Sequence, residues 1–335
     1  MNQSDSHSSP KKGLLGRVVM IVASIAMFGY IGFSVDWTHT WSAIQKASGL
    51  WILVYGLIML FAHFIRGWRW NMLTEPIGYT LNKRRSFYAV MTGYLVNVAT
   101  SRGGEVARCA MASKSEKAPV ELLIGTVVTE RIIDMLVMGS LSLLCLVWEY
   151  EAISDFILKP LESGWVLVTE NPLMIVLALA LAVAAIWFWR KRSTHASAPS
   201  DSLWSRFSGG LNSIFKLRQP GLFILSSYAI WIGYWLCMYV TLKALPMTAD
   251  FTLSQSLAVM VFSAFGIIIP VPAGAGVWGA VAYGLHMVYG LELTSAETFG
   301  IFTVALSNLL LIAGGSICYA AWLWESRRAD FEPIQ

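Results

Sequence analysis

Two short polar blocks lie inside otherwise apolar sequence, and chemistry is most available there. The first reads Asn97-Val-Ala-Thr-Ser-Arg102-Gly-Gly104-Glu105-Val-Ala-Arg108. Gly103 and Gly104 permit close backbone approach. A helix starting beside them would point free N–H groups and the positive end of its dipole at an anion, with Arg102 adding charge. Glu105 and Arg108 are three apart and can pair on one helix face. The blander reading makes Arg102 and Arg108 surface anchors and Glu105 their counter-charge. The second block is Thr129-Glu130-Arg131-Ile-Ile-Asp134, about ten residues, or ~15 Å of helix, in from Pro119. Ionisable groups at that depth are costly and by default face a bundle interior. Arg131 between two carboxylates is either a fixed clamp or leaves one of them free for a proton or a cationic group. Both readings stay open.

A third motif, Pro270-Val-Pro272-Ala-Gly274-Ala-Gly276, carries no charge. Proline ends one half-helix and the glycines allow a compact turn into the next, whose N–H groups are bare. Packing alone is the alternative reading for these glycines. His63 and His286 stand alone on apolar segments and read as buried, hydrogen-bonded residues rather than ligands. Cys109, Cys145, Cys237 and Cys318 form no CxxC or Cys/His cluster. Neither a metal, a disulfide framework nor a cofactor is expected.

The elements that must hold these groups are set by composition. Of 335 residues 56% are hydrophobic and 13% charged, with mean hydropathy +0.60; a soluble domain carries about 25% charged residues. The chain reads as an all-α polytopic membrane protein. A soluble enzyme, a secreted domain and a nucleic-acid binder are excluded as descriptions of the whole. Six segments are long and apolar enough to cross: 13–35, 50–70, 120–148, 171–190, 220–243 and 296–324. The first is too long for a signal-peptide core and ends without a small-residue cleavage site, so it is expected to stay as a helix. Two further segments, 86–112 and 254–290, are interrupted near their middles. Each half is ~21–27 Å long as helix, short of the roughly 30 Å hydrocarbon core, so both read as re-entrant hairpins.

Charge orients the chain. Lys11, Lys12, Arg17, Arg66, Arg69, Lys83, Arg84, Arg85, Lys114 and Lys117 fall on one side, joined by 190–192, Arg206, Lys216, Arg218, Arg327 and Arg328. Lys46, Lys159 and Lys243 fall on the other. The positive-inside rule then puts both termini in the cytoplasm of a cell whose inner membrane holds the chain. Helix, hairpin and helix recur about 172 residues later, giving repeats at 50–148 and 220–324 that run in opposite directions. Inverted repeats with paired broken helices belong to transporters, with the site where the breaks meet. Residues 1–12 read as a disordered tail and 13–326 as one membrane domain. Within the linker 191–218, Trp204, Phe207, Leu211, Ile214 and Phe215 suggest an amphipathic helix on the inner surface. Trp68, Trp70, Trp187, Trp189, Trp322 and Trp324 read as one interfacial belt, and Trp37, Trp41, Trp51, Trp148 and Trp165 as the other.

The pattern Asn97…Arg102-x-Gly104-Glu105-x-x-Arg108 followed by Thr126-Val-Val-Thr-Glu130-Arg131-Ile-Ile-Asp134 resembles the lysylphosphatidylglycerol synthase transmembrane (flippase-like) family. Arg69-Trp70 and the Pro-x-Pro-x-Gly-x-Gly turn are similar to it too, and the likeness covers about residues 15–325. It implies movement of lipids or lipid-linked groups between leaflets. No soluble synthase domain is expected, and hence no aminoacyl transfer. The chain departs from the family at Thr100, where a proline is usual, and at Trp278-Gly279, where an acid is usual. Ser307 and Asn308 stand where an Arg is frequent.

The expected function is translocation of a lipid or lipid-linked anionic headgroup, an anionic phospholipid or a polyprenyl phosphate, without catalysis. Arg69, Asn97, Arg102, Gly104, Glu105, Arg108, Glu130, Arg131, Asp134, Pro270, Pro272, Gly274 and Gly276 are the candidate substrate-binding residues. The competing readings are a membrane-embedded lipid-phosphate enzyme and a non-transporting partner of an envelope-synthesis complex.

Overall fold

The computed structural model describes residues 29, 32, 33, 35–100, 103–154, 203–268 and 274–329, with backbone alone at 203–205, 268, 328 and 329. The proposed crossing at 171–190 and most of that at 13–35 lie outside these residues, as do Arg102, Pro270 and Pro272. Every regular element among the described residues is helical. In chain order the α-helices are α1 (Trp37–Gln45), α2 (Gly49–Thr74), α3 (Lys83–Ala99), α4 (Gly104–Glu116), α5 (Val120–Trp148), α6 (Leu203–Leu211), α7 (Pro220–Ala244), α8 (Leu253–Ile268), α9 (Ala275–Tyr289) and α10 (Leu293–Ala329). Four of them, α2, α5, α7 and α10, are long and apolar enough to cross a membrane.

The surface is that of a membrane domain turned inside out relative to a soluble one. On α2, Leu50, Leu53, Leu57, Phe61 and Phe64 are exposed at helical spacing, while Arg66 and Arg69 are buried. On α5, Ile132, Met135, Leu136 and Leu143 face outward, while Glu130 and Asp134 face in. Water would penalise both halves of that arrangement; hydrocarbon outside and a polar interior suit both.

Helices α3 and α4 fold back on each other, as do α8 and α9. With 17, 13, 16 and 15 residues they measure ~20–25 Å, each too short to span the roughly 30 Å core. Both pairs close on glycine. A Cβ on Gly104 would lie 2.0 Å from the Gly93 carbonyl oxygen, and one on Gly266 would lie 2.5 Å from that of Gly276. These backbones touch with no room for a side chain. Asn82 caps α3 by accepting from the N–H of Arg84 at 3.0 Å. The turn into α9 uses Gly274 at φ 77°, in the left-handed region.

Long helix, hairpin, long helix thus occurs twice, as α2 to α5 and as α7 to α10. The two units interlock. Helix α2 packs along α7, α3 along α10, and α8 against α5, so each hairpin rests on the other unit's last helix. Gly315 of α10 admits Met91 and Leu95 of α3. The largest apolar core joins Val137, Leu141 and Cys145 of α5 to α7, α8, α9 and Phe299 of α10. All four cysteines are buried free thiols.

Helix α6 lies against the first half of α5, where Gly210 meets Gly125. Thr129 spans that contact, donating to the carbonyls of Gly125 and Leu211 at 3.1 Å each. Phe215, just past it, is exposed beside Lys216.

Candidate functional site

One helix face, one pair of carboxylates and one hairpin arginine build the polar centre. Arg66 and Arg69 are three apart on α2 and project together. Glu130 and Asp134, four apart on α5, do the same from the opposite side. Arg108 enters from α4. Arg66, Arg69 and Arg108 are 2%, 0% and 3% exposed, and Glu130 and Asp134 are 0% and 4%.

The bonding is dense. Arg66 Nη1 donates to Glu130 Oε1 and to Asp134 Oδ2, both at 3.1 Å. Arg69 Nη2 donates to Glu130 Oε1 at 3.0 Å and to Asp134 Oδ1 at 2.8 Å, while its Nη1 reaches Ser227 Oγ of α7 at 2.9 Å. Arg108 Nη2 donates to Glu130 Oε2 at 2.5 Å. Aromatic faces cover the cations: Trp70 lies 4.6 Å from the Arg108 guanidinium carbon, Phe223 5.6 Å from that of Arg69, and Tyr234 5.8 Å from that of Arg66. Guanidinium is weakly hydrated and stacks well, which suits it to this setting better than an ammonium.

At the rim, Arg131 is half-exposed. It meets Glu105 at 3.6 Å and Asp134 at 3.5 Å. A crevice of about 10 Å³, lined by Tyr94, Asn97, Gly104, Glu105, Arg108 and Arg131, leads inward from this pair. That is room for about one water.

Several expectations change here. Arg131 is not the residue between Glu130 and Asp134; Arg66 and Arg69 occupy that position from a different helix. Arg108 does not pair with Glu105 on its own helix, because it is drawn to the buried Glu130, leaving Glu105 to Arg131. Arg66, which the charge count places with the cytoplasmic charges, is central to the cluster; its spacing of three from Arg69 is the signal for it in the sequence. Trp70 is not a belt residue. It is fully buried and donates through Nε1 to Thr126 Oγ1 at 2.9 Å. Trp322 is likewise buried, donating to Ser115 Oγ, whereas Trp37, Trp41, Trp148 and Trp324 are exposed. His63 is buried but not alone, as Tyr94 and Tyr234 surround it.

Of the other candidates, Asn97 accepts from the Gly104 N–H at 2.8 Å through Oδ1. It thereby satisfies one of the open donors that begin α4. Asn97→Ala should therefore cost about 1 kcal/mol of stability, read as a lowered unfolding temperature of the purified protein. Gly276 packs on Gly266, and the nearest side chain to Gly274 is Val304 of α10. The second hairpin thus contributes apolar packing at these positions, and the charge lies with the first. Among the described residues no group of three or more His, Cys, Asp or Glu could hold a metal ion.

Charge counting gives the centre its character. Three buried arginines face two buried carboxylates, and the rim pair Arg131 and Glu105 cancels. At this centre, counted over the described residues, one positive charge is left over. Among the described residues, the buried Nε atoms of Arg66, Arg69 and Arg108 have no hydrogen-bond partner.

The model of the lysylphosphatidylglycerol synthase TM region matches residues 18–327. The chain belongs to this family. Its curated relatives include a UPF0104 membrane protein of Methanocaldococcus jannaschii, 25% identical over 120 residues, which are 35% of this chain and 34% of that one. Another is a UPF0104 membrane protein of Methanothermobacter thermautotrophicus, 26% identical over 162 residues, 47% of either chain. The matched stretches thus span a third to a half of those relatives. No solved structure matches.

Proposed function

We propose that this protein moves a lipid with an anionic headgroup from one membrane leaflet to the other. The observation that carries the reading is the surplus of buried guanidinium over buried carboxylate. An uncompensated charge inside a membrane domain costs several kcal/mol, and a visiting phosphate relieves that cost through charge-assisted bonds. The crevice beside Asn97 and Arg108 is the entry, and the Glu105–Arg131 pair must part to admit a headgroup. The acyl or prenyl chains stay in lipid against the exposed apolar faces of α2 and α5. In this reading both termini are cytoplasmic in an inner membrane, six helices cross, and the two helical hairpins enter from opposite sides as an inverted repeat.

Arg108→Met tests it. The substitution leaves two arginines on two carboxylates, so stability should change by less than about 2 kcal/mol, since a balanced buried pair tolerates loss of a third partner far better than loss of an acid. Exchange of fluorescent anionic phospholipid between leaflets of proteoliposomes should fall at least tenfold, the equivalent of about 1.4 kcal/mol in the barrier. Wild-type protein, folded and inserted, that exchanges no anionic lipid would remove the proposal and leave the non-transporting partner as the better description.

A further inference from the structure

The ion pair at the rim of the arginine cluster is bonded far less well than the pairs behind it. Glu105 of α4 and Arg131 of α5 approach to 3.6 Å, with side chains 34% and 38% exposed. That separation is longer than a hydrogen bond. Each partner also carries a buried polar atom that nothing among the described residues satisfies, Oε2 of Glu105 and Nε of Arg131. The deeper carboxylates differ. Glu130 accepts from Arg66, Arg69 and Arg108, and Asp134 from Arg66 and Arg69. A buried carboxylate oxygen with no donor is costly, and a proton removes that cost.

Size limits what can reach Oε2. The crevice lined by Tyr94, Asn97, Glu105, Arg108 and Arg131 measures about 10 Å³, room for about one water. A proton can arrive through such a space and a phosphate cannot. Charge points the same way. The surplus of buried guanidinium attracts an anion, yet an ionised Glu105 sets a negative oxygen beside the donors that the anion would use. Those donors include the unmatched Nε groups of Arg108 and Arg131. Facing Glu105 are Arg131 from α5, with Asp134 behind it at 3.5 Å, and Tyr94 and Asn97 from α3. On α4 itself stand Arg108 and the buried Cys109; Arg102, in the turn before it, lies outside the described residues.

We propose that Glu105 is a proton-binding latch: the site admits its anionic headgroup when Glu105 is protonated, so that a proton is bound together with the anion. The inference rests on the anion reading above and adds the ion coupled to it. The proton comes from water at the mouth of the crevice, forms an O–H bond on Oε2, and returns to water when the headgroup leaves. Neutral Glu105 no longer holds Arg131 at the rim. The pair parts, and the acid O–H and the Arg131 N–H groups then donate to phosphate oxygens. Binding that requires the protonated form weakens as pH rises through the titration of Glu105.

The test uses the full-length protein in detergent and phosphatidylmethanol, whose phosphodiester keeps a constant charge over the range studied. Affinity is titrated from about pH 5 to about pH 8, and proton uptake is read from heats of binding in buffers of different ionisation enthalpy. Wild-type affinity should fall at least tenfold across that range, with uptake approaching one proton per lipid at its upper end. Glu105→Gln, which imitates the protonated acid, should lose both the slope and the uptake. It should bind at least tenfold tighter than wild type at the upper end. Glu105→Asp should keep slope and uptake. Wild-type binding that ignores pH and takes up no proton overturns the latch, whether or not the Gln variant folds. So does a Gln variant that keeps the wild-type slope, since another group then takes the proton. A Gln variant weaker at every pH overturns it as well and reports a structural role for Glu105. Proton-linked binding without exchange in proteoliposomes keeps the latch and removes the translocation reading. Absence of binding at every pH removes the anion reading and the latch with it.

Discussion

Glu130→Ala is expected to lower stability by about 3–5 kcal/mol, the range for stripping one partner from a buried ionic network. Glu130 accepts from Arg66, Arg69 and Arg108. Without it three buried guanidinium groups share Asp134 alone. The loss should show as a fall in yield of monodisperse protein and in its unfolding temperature in detergent. A second variant separates charge from packing. Glu130→Gln combined with Arg108→Met retains most of the side-chain volume and leaves two arginines against one carboxylate, the same surplus as in the wild type. It should recover at least half of the lost stability. If the double variant is no better than Glu130→Ala, charge balance is not what holds the centre together.

Gly104→Ala is the second large effect. Its Cβ would sit 2.0 Å from the Gly93 carbonyl oxygen and 2.7 Å from the Asn97 side chain. Backbone cannot swing aside as a flexible side chain can, so α3 and α4 would have to part by more than 1 Å at their closest point. Overpacking usually costs about 1–3 kcal/mol, and a 2.0 Å collision with the Gly93 backbone, with the Asn97 side chain also in the way, belongs at or above the top of that range. The same shift would pull Arg108 from Glu130, so anionic-lipid exchange should disappear along with stability. Gly279→Ala is the matched control. No neighbouring atom of the described residues lies within 4 Å of a Cβ there, and Ala is the better helix former by about 1 kcal/mol. It should leave unfolding temperature unchanged or slightly raised. Equal behaviour of the two variants would contradict the close approach of α3 and α4.

The residues behind these effects are placed partly by local and partly by distant causes. The need for Glu130 and Asp134 to face inward follows from their depth in an apolar segment. The break at Gly103-Gly104 follows from glycines and charge in a segment too short in each half to cross. The equivalent break near Gly274 follows from its prolines and glycines. In each case the deciding physics is local: the transfer cost of a charge into hydrocarbon, and backbone freedom at a turn.

Partner choice was not local. Arg131 adjoins Glu130 in sequence and is three from Asp134, so local spacing favours it as the clamp. Adjacent helix residues point in different directions, however, and Arg131 points to the rim. The arginines that do meet Glu130 lie 64, 61 and 22 residues away. They reach it because α2, α4 and α5 pack around one interior, which no spacing rule encodes. Trp70 owes its place to the same packing. A tryptophan near a helix end is an interfacial anchor by default, and only the packing of α2 against α5 turns its ring under Arg108 and its N–H toward Thr126.

From the sequence alone, then, come the membrane class, the family, the two breaks and the residue types available for anion chemistry, because hydropathy and turn geometry act over short stretches of chain. The tertiary structure alone decided that Arg66 joins the site and Arg131 stands at its edge, and that His63 has two tyrosines for neighbours. Those outcomes depend on which helix faces meet, and in a bundle built from two interlocking units the meeting faces come from distant segments.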